Sequence, residues 1–213
     1  MIICIDGPAG AGKSTVARQL AARLNFAMLD TGAMYRSVAW AAQRDNLDWA
    51  DPQAISYLAG RISISLNGPN VFVDGVDVTQ AIRTPEITAL THYAADNPGV
   101  RAHMVERQRE AAVGLNIVTE GRDQGTVVFP GAECKFFVTA SPQARARRRW
   151  QELSERGSTI TLDEVLAQQV ERDQRDSVRE VGPLKPAEDA IEVSTDDLTI
   201  NQVVEQLEAE VRR

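Results

Sequence analysis

Gly7-Pro8-Ala9-Gly10-Ala11-Gly12-Lys13-Ser14 fits the spacing G-x-x-x-x-G-K-[ST]. Glycines at these places let successive backbone N–H groups turn inward around phosphate oxygens, and a helix beginning at Lys13 would aim its positive end at them. Lys13 can reach the outer phosphates and Ser14 can hold Mg2+. Such a string arises by residue frequency in under about 1% of random chains this long. It also lies where the mechanism needs it, between an apolar run at Met1–Ile5 and a stretch with Val16, Leu20 and Leu24 four apart. The chain is expected to bind a nucleoside triphosphate. An Asn-Lys-x-Asp segment for guanine is absent, and a motor or multi-domain ATPase needs more chain, so a small kinase fits the length of 213 residues.

Of the 23 basic side chains only Lys13, Lys135 and Lys185 are lysines. The rest are arginines, whose planar fork grips phosphate or carboxylate at two points. A genome rich in arginine codons would give the same bias, so position must decide. Phosphoryl transfer between nucleotides brings negative charges together and must exclude water. Arginines in three places could serve it: Arg36 after a second strand, Arg122 after a buried strand, and the run from Arg145 to Arg179. Plainer readings exist for most of them. Arg36 can be an exposed helix residue. Arg145, Arg147, Arg148 and Arg149 share one helix, and at about 100° per residue at most two can face one site. Arg172, Asp173, Arg175, Asp176 and Arg179 can form a surface salt-bridge ladder. Arg122 is better placed, because ligands of open parallel sheets sit beyond the carboxyl ends of strands.

The elements that must position these residues follow from periodicity. Strands are predicted at Met1–Ile5 and Phe26–Leu29 with helices at Lys13–Leu24 and near Met34–Arg44, the alternation of a parallel sheet. Asp51-Pro52, Thr84-Pro85 and Asn97-Pro98 each start a helix. Between them Ile62, Ile64 and Leu66 alternate with serines, and Val71–Val73 and Val76–Val78 bracket Asp74-Gly75, a small antiparallel insert. Strands are predicted at Leu115–Thr119, Ala132–Thr139 and Ala190–Val193, and helices after Ser141-Pro142 and after the capping boxes Thr161/Glu164 and Thr199/Gln202. One main domain is expected. A net charge of -7 excludes a protein that coats nucleic acid or membrane by bulk charge. With no apolar run near membrane-span length and no leader pattern, the expected location is cytoplasmic, and Cys4 and Cys134 are expected as buried, reduced thiols.

Together these strings resemble the bacterial cytidylate kinases, the (d)CMP kinase branch of the nucleoside monophosphate kinases. The resemblance spans nearly the whole chain: Ile5-Asp6-Gly7-Pro8 through Ser14, Leu29-Asp30-Thr31-Gly32-Ala33-Met34-Tyr35-Arg36, the small sheet near 60–80, Ile82-Arg83-Thr84, Val100-Arg101, Glu120-Gly121-Arg122-Asp123 with Gly125–Pro130, and Arg172–Asp176. It implies an α/β, three-layer P-loop NTPase fold: a central parallel sheet flanked by helices, an inserted antiparallel sheet in the nucleoside monophosphate lobe, and a helical lid. The implied division is a core at about 1–58, 93–149 and 171–213, an insert at about 59–92 and a lid at about 150–170.

The resemblance implies ATP- and Mg2+-dependent phosphorylation of CMP and dCMP by a monomer acting on small molecules. Gly7, Pro8, Ala9, Gly10, Ala11, Gly12, Lys13, Ser14 and Thr15 would bind ATP, with Ser14 on the metal. Arg36, Arg122 and Arg179 would hold the acceptor phosphate, Arg101 and Asp123 would read cytosine, Thr31 would lie beside the nucleoside, and Arg172 and Asp176 would reach the sugar. Lys13, Arg36, Arg122 and Arg179 would be catalytic. Two positions depart from the family pattern: His92, preceded by Thr91, stands where a serine usually helps read cytosine, and Gln124 where Ile or Met is usual. The competing readings are a P-loop kinase for another small acceptor, such as UMP, AMP or a metabolite hydroxyl, and a nucleotide-dependent binding module.

Overall fold

The computed structural model describes residues 1–155 and 157–213; Arg156, inside the expected lid, lies outside the described residues. The chain divides into two units, Met1–Phe26 with Asn116–Arg213, and Ala27–Leu115.

In the first unit β1 (Ile2–Asp6), β6 (Ile117–Gly121), β7 (Cys134–Thr139) and β8 (Ile191–Ser194) lie side by side in the order β6-β1-β7-β8, all parallel. Ile3, Cys4 and Ile5 are fully buried in succession. A strand covered on both faces has no polar side to alternate with, which is why it reads as a continuous apolar run. Helix α1 (Lys13–Leu24) packs on β1, β6 and α8 (Ile200–Val211) through Val16, Leu20, Val203, Val204 and Leu207, all fully buried. Its last turn closes on Asn25 at φ 55, whose N–H returns to Ala21 and Ala22 carbonyls. Helices α6 (Pro142–Glu155) and α7 (Leu162–Val178) pack on each other, and both capping boxes form as expected, at Thr161/Glu164 and Thr199/Gln202.

The second unit contains β2 (Ala27–Asp30), α2 (Thr31–Arg44), α3 (Pro52–Arg61), β3 (Ile64–Asn67), β4 (Asn70–Val73), β5 (Val76–Asp77), α4 (Pro85–Ala95) and α5 (Pro98–Ala112). Helix α2 packs on α4 and α3 on α5. Strands β3-β4-β5 form the expected antiparallel insert. Its second turn is Asp74 at φ 51 and Gly75 at φ 81, the two left-handed residues that a tight hairpin demands. Asp74 also accepts from Ser63 N at 2.9 Å and Arg44 Nη1 at 3.0 Å, tying the turn to α2.

Three details differ from expectation. Helix α2 starts at Thr31 rather than near Met34, because the Asp30 side chain accepts from Ala33 N and caps it there. Gln124–Val128, to which the sequence pattern assigns no element, forms a π-helical turn. Cys4 is buried as expected, but Cys134, the first residue of β7, is half-buried; both are free thiols, and burial pushes each above its usual pKa. Among the described residues no helix is long and apolar enough to cross a membrane.

Gly7 leaves β1 at φ 143, and a Cβ there would lie 2.0 Å from the Val138 carbonyl oxygen. Gly7→Ala is therefore expected to cost at least about 2 kcal/mol in urea unfolding, whereas Gly131→Ala, with open space around it, should stay within about 0.5 kcal/mol.

Candidate active site

Parallel pairing sets Asp6 opposite Gly121 on one side and Phe137 on the other. The loops leaving β1, β6 and β7 consequently emerge together at the carboxyl edge of the sheet. The loop from Gly7 to Gly12 occupies this edge and closes at φ 88, so α1 starts without a side-chain cap. Lys13 is buried, and its Nζ donates to the Pro8 carbonyl at 2.8 Å. Burial drives its amine down to about 7; Arg122 and Arg172 press in the same direction, and Glu120 opposes them. Ser14 Oγ donates to Glu120 Oε1 at 3.0 Å, joining the start of α1 to the end of β6.

Beyond β6, Arg122 donates through Nε to Asp176 Oδ2 at 2.8 Å, and Arg179 Nη1 lies 3.7 Å from Asp176 Oδ1. Burial alone would raise the Asp176 carboxyl, but Arg122, Arg172 and Arg179 outweigh it and hold it below its usual range. Asp123 is buried at the head of the π-helical turn. That turn is pinned by Asp6, whose two carboxylate oxygens accept from Gln124 N at 2.9 Å and Gly125 N at 2.7 Å. Burial raises the Asp6 carboxyl to about 6 despite these bonds. The unusual Gln124 also has a physical role: its Oε1 accepts from the fully buried Thr119 hydroxyl at 2.8 Å, giving the strand end a satisfied polar pair.

In the second unit Asp30 caps α2 and faces two arginines, Arg36 Nη2 at 3.4 Å and Arg83 Nη2 at 3.7 Å. Thr31 is buried at the first turn. Arg101 is also buried, its guanidinium 5.4 Å from the centroid of the Tyr35 ring and its Nη1 3.0 Å from the Ala95 carbonyl. Thr91 Oγ1 donates to Ile87 O at 2.7 Å, and His92 Nδ1 lies 2.7 Å from Ala89 O with its ring 4.1 Å from that of Tyr93. Both side chains turn a polar atom back onto their own helix.

Lys13, Ser14, Arg122, Arg172, Asp176 and Arg179 thus gather in the first unit, with Asp123 at the head of its turn, while Thr31, Arg36 and Arg101 belong to the second. The 172–179 stretch is no surface ladder on its inward side: Asp173 pairs with Arg145 at 2.6 Å, and Asp176 with Arg122 and Arg179. Arg175 with Glu171, at 4.0 Å, is a rung on the outer side. Asp6, Arg83 and Glu120 stand in strings that carry the family resemblance, but sequence reasoning gave none of them a role. Acidic side chains at the carboxyl ends of two buried strands flanking a phosphate loop were a readable signal for Asp6 and Glu120.

The cytidylate kinase family model matches residues 3–213. The cytidylate kinase of Rhodopirellula baltica is 46% identical over 97% of this chain and 90% of its own length. That of Caldanaerobacter subterraneus subsp. tengcongensis is 46% identical over 99% and 94%. A solved shikimate kinase from Bacteroides thetaiotaomicron, 14% identical, superposes with a TM-score of 0.53 over 100% of this chain and 99% of that one, a likeness of fold alone. With a phosphate loop at the first strand end, arginines at the next and a full-length family match, this chain belongs to the cytidylate kinase family.

Proposed function

We propose that the chain transfers the γ-phosphoryl group of ATP to CMP and dCMP, forming CDP and dCDP. The observation that carries this reading is the convergence of Lys13, Ser14 and Arg122 at neighbouring strand ends of the first unit. The reading assigns ATP to Gly7–Thr15. It assigns the acceptor phosphate to Arg36, Arg122 and Arg179, the cytosine edge to Arg101 and Asp123, the nucleoside to Thr31, and the sugar to Arg172 and Asp176. A carboxylate accepts from the cytosine amino group and a guanidinium donates to ring acceptors, so the residue types suit the base. Residues 59–92 would serve as the monophosphate lobe and 150–170 as a lid, and the enzyme would act as a cytoplasmic monomer on free nucleotides.

The acceptor phosphate oxygen is ionised at neutral pH, so no general base is required. It attacks the γ-phosphorus in line with the departing ADP oxygen, and the enzyme contributes position and charge neutralisation. Ser14 Oγ and Glu120 Oε1, 3.0 Å apart, form a pair of hard oxygen donors suited to Mg2+. No cluster of three acidic, His or Cys ligands occurs among the described residues, which fits an ion completed by substrate phosphates. When bound there, Mg2+ supplies neutralisation of the phosphate charge.

Lys13→Ala is expected to cut turnover by on the order of a hundredfold or more in an ADP-release assay with CMP. Its effect on stability should be much smaller, the lost packing and the bond to Pro8 O alone, because a buried amine driven down to about 7 contributes no stability as a charge. Ordinary CMP kinase activity in this variant would refute the reading. The same residue sets a pH dependence. A polyanion favours the charged amine, so above about pH 7 nucleotide binding must take up a proton. Affinity should weaken as pH rises past 7, by up to about tenfold per unit. Calorimetry at pH 8 in buffers of different ionisation enthalpy should show that uptake; zero protons would contradict it.

A second reading, UMP phosphorylated beside CMP, is favoured by Thr91 and His92, each of which commits a polar atom, Oγ1 and Nδ1, to its own helix. The assay run against CMP, dCMP, UMP, AMP and GMP separates the two: comparable CMP and UMP rates would select the second.

A further inference from the structure

A phosphate loop works only if its N–H groups point inward together. In a trans peptide the carbonyl of one residue and the N–H of the next point in opposite directions. Holding a loop carbonyl outward therefore aims the following N–H inward. Two such carbonyls are held here by side chains from outside the loop. Ala9 O accepts from Arg145 Nη1 at 2.9 Å, which aims Gly10 N–H, and Ala11 O accepts from Thr195 Oγ1 at 3.3 Å, which aims Gly12 N–H.

Each tie is anchored in turn. Arg145 is buried, donates through Nε to Ala140 O at 3.0 Å, and pairs through Nη2 with Asp173 Oδ2 at 2.6 Å. Thr195 is 1% exposed; its hydroxyl receives Arg148 Nη1 at 2.9 Å and its carbonyl Arg148 Nη2 at 2.6 Å. Arg145 and Arg148 are three apart on α6 and share a face. Among the described residues both have forks filled by buried or half-buried partners, whereas Arg149 pairs with Glu152, 3.1 Å away on the surface. Arg145 and Gln169 also pack the loop from behind: a Cβ on Gly10 would lie 3.1 Å from Arg145 Cβ and 2.9 Å from Gln169 Nε2.

We propose that Arg145 and Arg148, braced by Asp173 and Thr195, are positioning residues that set the direction of the phosphate-loop amides from outside the loop. They act through Ala9 and Ala11, not by touching ATP. Asp173 lies one turn from Asp176, which holds Arg122, so α7 fixes the donor loop and an acceptor arginine from one face. The inference rests on the kinase reading above only for the identity of the nucleotide.

The test uses the full chain with Asp173→Asn, Thr195→Val and, as comparator, Asp189→Asn, which breaks the Lys135–Asp189 pair at 2.8 Å. Readouts are the Kd of a fluorescent ATP analogue by anisotropy, KM for ATP and for CMP, and Tm. Asp173→Asn and Thr195→Val should each raise the analogue Kd and the ATP KM by on the order of tenfold, the size of one misaimed charge-assisted hydrogen bond. The CMP KM should stay within about twofold. Asp189→Asn should lower Tm without moving the Kd. Unchanged analogue Kd in both loop variants, or ATP and CMP KM rising in parallel, overturns the proposal. Thr195→Val is nearly isosteric, so it decides the matter if Asp173→Asn fails to fold. Wild-type protein that binds the analogue without forming CDP defeats the kinase reading, while the Kd values still judge the loop.

Discussion

The pairing of β1 with β6 is the constraint from which the first unit follows. One residue of slip in that register would carry Gly121 away from Asp6 and turn successive side chains to the opposite face. Asp6 would then lose Gln124 and Gly125, Ser14 would lose Glu120, and Arg122 would leave the neighbourhood of Lys13. A strand apolar on both faces does not fix its own register by alternation, so the polar ties at its end mark it: Asp6 to Gln124 N and Gly125 N, and Ser14 to Glu120.

Electrostatics in the same unit is mostly internal. Arg122 and Arg179 face Asp176, Arg145 faces Asp173, and Lys13 Nζ is held by a carbonyl. A chain of net charge -7 can therefore present cations to a polyanion without accumulating bare positive charge, because carboxylates on α7 preset the guanidinium orientations. Burial of Asp176 makes the arrangement stiff: moving either arginine leaves a carboxylate poorly compensated in a region with little water.

How far the sequence disclosed this depended on whether a feature is local. The phosphate loop, both capping boxes, the Asp51-Pro52 cap and the Asp74-Gly75 turn are written in consecutive residues, and each was legible. The resemblance to a kinase family added fold and substrate class. What stayed hidden was set by partners distant in the chain. The π-helical turn depends on Asp6, Gln124 on Thr119, and the arrangement of Arg145 on Ala9 and Asp173. Helical spacing indicated that at most two of the α6 arginines share a face, but not that Arg145 and Arg148 face the protein.

Gly12 has one more effect. Most helix starts in this chain carry a side chain that closes the first turn: Asp30, Asp51, Thr84, Asn97, Thr161 and Thr199. Helix α1 starts at a left-handed glycine that brings no such group. Its first amides have no side-chain cap, so an anion bound there would act as a removable cap, and the folding free energy of α1 would become a function of that anion's concentration.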